Sequence, residues 1–179
     1  MAAWEQFDFA QLDGRLMLIA GYLANKIEGK RILDLNCGKA PLLRFLPQTW
    51  AQYIGTDTDE AQIEFCRQRY PGIFYVASDD CLPTISGVDI LLVLGYAALL
   101  NRQESQTLHL SIVNIATQYR PESVVIDAWF DLPDECQLSP VRWQLIEQGY
   151  SLAYHWVLDT YIGQFVPYQK RQIYILERP

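Results

Sequence analysis

A few acids and one turn of small residues have the types and spacing to hold a ligand. Asp34 lies near the end of a short apolar run, Ile32-Leu33-Asp34-Leu35, which breaks into Asn36-Cys37-Gly38-Lys39-Ala40 before Pro41. A strand, a small-residue turn and a helix start form a backbone cradle for a nucleotide-like ligand. An acid just before that turn points to a cationic group on the ligand. Asp57 ends the next apolar run, Tyr53-Ile54-Gly55-Thr56, and is followed by Thr58 and Asp59. A carboxylate there can accept two hydrogen bonds from a ribose diol, in keeping with the acidic residue of nucleotide sites. A solvated loop acid is the plain alternative. Asp59 is better explained as a helix N-cap. A third run ends Ala77-Ser78-Asp79-Asp80-Cys81-Leu82-Pro83, and a fourth leads into Leu94-Gly95-Tyr96.

The elements that must position these residues follow from periodicity. Leu12, Leu16, Ile19, Leu23 and Ile27 recur at three- and four-residue steps, which predicts an amphipathic helix over residues 9–28. Asp8 with Gln11 resembles its capping box and Gly29 its stop. Strands are predicted at Ile32–Leu35, Tyr53–Thr56, Ile73–Val76, Asp89–Leu94 and Val124–Ile126. Between them, helices start near Pro41, after Asp59 and at Asn101, the last with a buried stripe of Leu108, Ile112, Ile115 and Tyr119. A helix near Val141 to Gln148 follows. Two strands, Ser151–Asp159 and Arg171–Glu177, then form an antiparallel hairpin across a loop with Gly163 and Pro167. The outline is an α/β fold: a doubly wound mixed sheet of seven strands, one antiparallel, with helices on both faces and an added N-terminal helix.

The turn and the loops after it resemble, in order, the motifs of the class I (Rossmann-like) S-adenosylmethionine-dependent methyltransferases. That family writes motif I as an acid followed by Gly-Cys-Gly-Thr-Gly or similar; here Asn36 and Ala40 replace two of the three glycines. Asn enters left-handed backbone readily, and Ala suits a site that needs close helix packing. The resemblance covers residues 30–179 of a single domain, 1–179, with 1–29 as a helical lid or packing segment. It implies the strand order 3-2-1-4-5-7-6 and S-adenosyl-L-methionine as cofactor. On this reading Asp34, Asn36, Cys37 and Gly38 hold the methionine part, Asp57 and Thr58 the ribose, and Asp79 or Asp80 the adenine. The backbone at Gly95 flanks the methyl-donating end, while Tyr96 and the segment Asp127-Ala128-Trp129-Phe130-Asp131, Trp129 first among them, are placed to line the acceptor pocket.

Methyl transfer from a sulfonium is an in-line displacement that depends mainly on positioning, and a base is needed only for a protonated acceptor. No catalytic residue stands out. His109 lies beside its helix's apolar stripe, as a solvated histidine would, and His155 falls mid-strand, as a structural one would. A methyltransferase-like binding module that has lost catalysis is the alternative. A nicotinamide-dependent oxidoreductase is weaker, because one glycine of its three-glycine fingerprint survives.

Composition sets the limits. Net charge is −7 over 179 residues, which disfavours phosphate backbones and anionic lipid. Nucleic acid is therefore an unlikely partner, and no membrane association is expected. A small-molecule acceptor is expected, with a protein side chain as the alternative. The four cysteines, Cys37, Cys66, Cys81 and Cys136, form no Cys-x-x-Cys pair. They read as reduced small hydrophobes of a cytoplasmic protein, with no metal site.

Overall fold

Successive residues of a strand point to opposite faces of its sheet, and the neighbours Ile32 and Leu33 each pack into a buried core, so both faces are covered. In the computed structural model, residues 14–78, 81–96, 102–129, 139–160 and 169–179 are described. Among them, seven strands form one sheet: β1 (Arg31–Leu35), β2 (Gln52–Asp57), β3 (Ile73–Val76), β4 (Ile90–Tyr96), β5 (Ser123–Trp129), β6 (Ser151–Thr160) and β7 (Gln169–Glu177). Their order is β3-β2-β1-β4-β5-β7-β6. Pairing is parallel from β3 through β5, and β7 runs antiparallel to both β5 and β6. This is the order the motif pattern implied.

The helices are α1 (Gly14–Leu23), α2 (Glu60–Arg69), α3 (Arg102–Tyr119) and α4 (Ser139–Glu147), with a 3₁₀ turn at Pro41–Arg44. Leu16, Ile19 and Leu23 of α1, Leu42 and Leu43 of the 3₁₀ turn, and Ile63 and Cys66 of α2 share one core with Ile32, Tyr53, Phe74 and Leu92. Leu108, Ile112 and Ile115 of α3 and Val141 and Leu145 of α4 share the other with Leu33, Ile54, Leu91 and Val124. The predicted stripe of α3 is the buried one.

The differences from expectation have local causes. The described part of the first helix stops at Leu23: the Lys26 N–H tightens onto the Leu23 carbonyl at 2.7 Å, and the chain turns before Gly29, whose φ is +69°. Ile27 leaves the helix yet stays fully buried. The predicted capping box, Asp8 and Gln11, lies outside the described residues. Only a four-residue 3₁₀ turn forms after Ala40, because Pro47 leaves no room for another α-turn. Tyr70 caps α2 in extended backbone, as Pro71 demands of the residue before it.

β4 and β5 run further than their apolar cores suggested. Tyr96 pairs with Ala128 across a register shift after Val93, and β7 carries the β5 ladder on to Trp129↔Arg171. Gly95 and Tyr96, expected after the strand, form its last two residues. A glycine at such an irregularity is a common strand device.

Candidate ligand site at the carboxyl ends of the strands

The site begins with register. Asp34 lies opposite Gly55 on β2 and Leu92 on β4, one row above the pair Ile32↔Tyr53. Tyr53 reaches Asp34 from the deeper row, where its hydroxyl donates to Asp34 Oδ2, and Gly55 leaves the place opposite Asp34 without a side chain. The vacated space is full: a Cβ at Gly55 would sit 2.7 Å from Phe74 Cδ1 and 2.9 Å from Cys37 Sγ. Asp34 is 1 % exposed, and its other oxygen, Oδ1, is buried with no hydrogen-bond partner among the described residues. Burial pushes its carboxyl up to about 7, with Asp57's charge adding to the rise and the Tyr53 hydrogen bond opposing it.

The turn is left-handed at three points, Asn36 (φ 53°), Gly38 (φ 56°) and Ala40 (φ 46°). Asn36 thus replaces a glycine for the anticipated reason. Ala40 does more than allow close packing: it is fully buried and also holds a left-handed backbone, a conformation that disfavours Cβ. The Cys37 N–H bonds the Thr56 carbonyl at 2.9 Å, and the Gly38 N–H donates to Asp57 Oδ2 at 2.8 Å. Asp57 Oδ1 accepts the Asp59 N–H at 2.9 Å. Asp57 therefore ties the β2 loop to the turn, whereas Asp59 caps α2 through the Ala61 and Gln62 N–H groups. Hydrogen bonding from Gln62 holds the Asp59 carboxyl below its ordinary range. Thr58, between them, is exposed.

The thiols of Cys37 and Cys66 both point at the Gly38 carbonyl, at 3.6 and 3.3 Å. Their mutual hydrogen bond, then burial, pushes the Cys37 thiol well up. The same hydrogen bond lowers the Cys66 thiol, and both side chains are buried in the core.

Asp79 and Asp80 lie outside the described residues. On either side of them, the Ala77 N–H bonds the Asp57 carbonyl at 3.0 Å and the Cys81 N–H bonds the Ser78 carbonyl at 3.0 Å. The backbones of Gly95 and Tyr96 end β4 beside β1, and Trp129 ends β5 beside β4. The side chains of Tyr96 and Trp129 lie outside the described residues, as do Phe130 and Asp131. The strand order thus sets Asp57, the Asp34–Ala40 turn, Gly95 and Trp129 in a row along one sheet edge.

Asp127, expected among the acceptor-lining residues, is instead fully buried and structural. Arg171 from β7 grips it with two bonds, 3.1 and 2.6 Å, and Arg15 from α1 adds a third. The histidines stand away from the turn. His109, expected to be solvated, is half-buried on α3, and burial lowers its pKa. His155 is exposed on the edge strand β6 and stacks on Tyr174, rings 4.4 Å apart and 8° from parallel. No group of three or more potential metal ligands occurs among the described residues.

Sequence reasoning missed Tyr53 and Thr56; the Thr56 hydroxyl, like Asp34 Oδ1, is buried with no partner among the described residues. The signal for Tyr53 was present: a tyrosine within a strand buried on both faces needs a partner for its hydroxyl, and Asp34 is the acid one row away.

Sheet order, the antiparallel β7 and the acid–turn–acid edge together define the class I, Rossmann-like methyltransferase fold, and solved structures agree. Magnesium protoporphyrin IX methyltransferase from Synechocystis, with bound SAM, superposes with TM-score 0.68 at 16% identity, covering 93% of this chain and 79% of that one. A TehB-like SAM-dependent methyltransferase from Corynebacterium glutamicum gives 0.65 at 18% identity, over 98% of this chain and 94% of that one. A putative RNA methyltransferase from Pyrococcus horikoshii gives 0.65 at 15%, over 92% and 83%. No family model matches the sequence, and no curated protein matches it. At these identities the likeness is one of fold. The dinucleotide-binding sheet, with its parallel sixth strand beside the fifth, differs at β7.

Proposed function

We propose that this chain binds S-adenosylmethionine and transfers its methyl group to a small-molecule acceptor. The observation that carries the reading is the pair of acids on either side of the turn: Asp57 bonded to the Gly38 N–H, and Asp34 with a buried oxygen left unpaired. The residues fit the cofactor. Asp34 Oδ1 is an acceptor of the right charge for an ammonium group, directly or through a water. Each oxygen of Asp57 keeps a lone pair beyond the N–H it already accepts, enough for a ribose diol. Asn36, Cys37 and Gly38 supply the backbone beside the methionine part, with Thr58 next to the ribose. Asp79 or Asp80 would take the adenine amino group, and Gly95 would border the sulfonium.

The cofactor would supply an electrophilic methyl on sulfur. The protein's part is to hold donor and acceptor in line, and Tyr96 and Trp129, at neighbouring strand ends, stand where an acceptor must approach. The net charge of −7 supports a small molecule over a polyanion. The structures that share the fold have acceptors of both kinds by name, a porphyrin and RNA.

Calorimetry with S-adenosylhomocysteine tests the cofactor; no binding at millimolar ligand by a folded protein overturns the reading. Methyl-labelled S-adenosylmethionine, given with a cell extract, tests the acceptor. Label is expected in the small-molecule fraction. Label in RNA overturns the acceptor class, and bound cofactor with no transfer overturns turnover and leaves a binding module.

A further inference from the structure

Tyr53 gains a role once the turn is read as a cofactor site, and the role rests on that reading. We propose that Tyr53 is a positioning residue for the ammonium-binding carboxylate: it ties Asp34 Oδ2 from the neighbouring strand, leaves Oδ1 for the ligand, and makes binding of the cationic group release one proton. Three features of the structure support this. Tyr53 is fully buried, so its hydroxyl has no water to turn to, and it donates to Asp34. Phe74 packs against the Tyr53 ring, and Phe74 and Cys37 fill the space beside Gly55, the residue opposite Asp34. Asp34 Oδ1 is left as a buried acceptor beside the turn.

The surroundings set the proton balance. From β2 the groups facing Asp34 are Tyr53 and Asp57; from the turn and α2 they are the thiols of Cys37 and Cys66; the β4 neighbour, Leu92, is apolar. No cation among these groups holds the carboxylate ionised. Burial keeps the proton on Asp34 to about pH 7, against an ordinary value of 3.8. An arriving ammonium supplies the missing positive charge. The carboxyl O–H then breaks, its proton passes to buffer, and the carboxylate keeps the electron pair and binds the cation. Tyr53 makes this exchange attainable near neutrality, because its hydrogen bond favours the ionised form.

The test uses the intact protein and S-adenosylhomocysteine. Calorimetry at pH 6 in two buffers of different ionisation enthalpy should show about one proton released per ligand bound, falling to a small fraction at pH 8, where the ligand's ammonium is still intact. Tyr53→Phe should weaken binding several-fold at pH 7 and move the pH midpoint of affinity upward, with the gap between variant and parent narrowing as pH rises to 8. A merely structural role would weaken binding equally at every pH. Superimposable pH profiles, or no proton release, overturn the proposal. Should Tyr53→Phe fail to fold, carboxyl ¹³C NMR of Asp34 in the unsubstituted protein decides. Its midpoint should fall by more than one pH unit on saturation with ligand, and an unmoved midpoint refutes the idea. Failure of the ligand to bind at any pH is a different outcome, which removes the cofactor reading itself.

Discussion

Replacing Asp34 with asparagine should change how the stability of the ligand-free protein depends on pH. The buried carboxyl holds its proton to about pH 7 in the folded state, whereas in the unfolded chain it releases it near 3.8. Between these values the unfolded state has lost a proton that the folded state keeps. The stabilisation is therefore fully present below about 3.8, declines as pH rises, and is gone above about 7. At about 1.4 kcal/mol per pH unit, the whole span comes to about 4 kcal/mol, of which about 3 kcal/mol falls between pH 5 and pH 8. That is a large share of the roughly 5–15 kcal/mol that holds a domain together. Asparagine has nearly the same shape as the acid and no such proton. Any poorer packing of its amide is a penalty at every pH, and it cancels when the difference between the two proteins is compared at pH 5 and pH 8. Urea denaturation at several pH values gives the comparison. The parent should lose about 3 kcal/mol relative to the variant across this range, and parallel curves would falsify the burial argument for Asp34.

Other substitutions separate the roles of neighbouring residues. Asp57→Ala should cut affinity for S-adenosylhomocysteine more than tenfold in calorimetry, since each hydrogen bond to a charged group is worth roughly 1.5–3 kcal/mol. Asp59→Ala should leave affinity near the parent's and lower stability by about 1 kcal/mol through the lost cap; equal effects on affinity would show that the ribose site is misplaced. Gly55→Ala drives a Cβ to 2.7 Å from the Phe74 ring, so urea unfolding should register a loss of about 1–3 kcal/mol. A neutral result would mean that the ring yields freely. Arg171→Leu leaves fully buried Asp127 with Arg15 but without its two-pronged partner. A loss of about 3–5 kcal/mol is expected in the same assay.

The fold was legible because its signals are local. Ile73–Val76 is predicted and found at the same residues, since Pro71-Gly72 marks where α2 must have ended. The short apolar run of β1 and the longer one of β4 mark strands buried on both faces. Strand ends were less legible: β5 extends to Trp129 because β7 pairs with it, and that ladder joins residues far apart in the chain. The same distance hid the setting of Asp127, whose partners come from α1 and β7. At the candidate site the turn was legible from its residue types, with Asn36 and Gly38 at left-handed backbone, whereas the bond from Gly38 to Asp57 joins two loops that no local pattern pairs. Tyr53 belongs to no motif, and its contact with Asp34 emerges only from the register of two parallel strands.

The position of β7 also bears on how the chain folds as it is made. β7 sits between β5 and β6, so β6 leaves the ribosome before the strand that joins it to the sheet. Its ten residues, with Leu152, Tyr154 and Val157 still substantially exposed after folding, must wait without a sheet partner during synthesis. Two further ties of α1 and the turn after it depend on the same late arrival, because Tyr22 and Lys26 bond Glu177, at the end of β7. The first helix and the last strand thus lock together in one closing event. Nascent chains stalled short of β7 should be substrates for chaperones that capture unpaired strands.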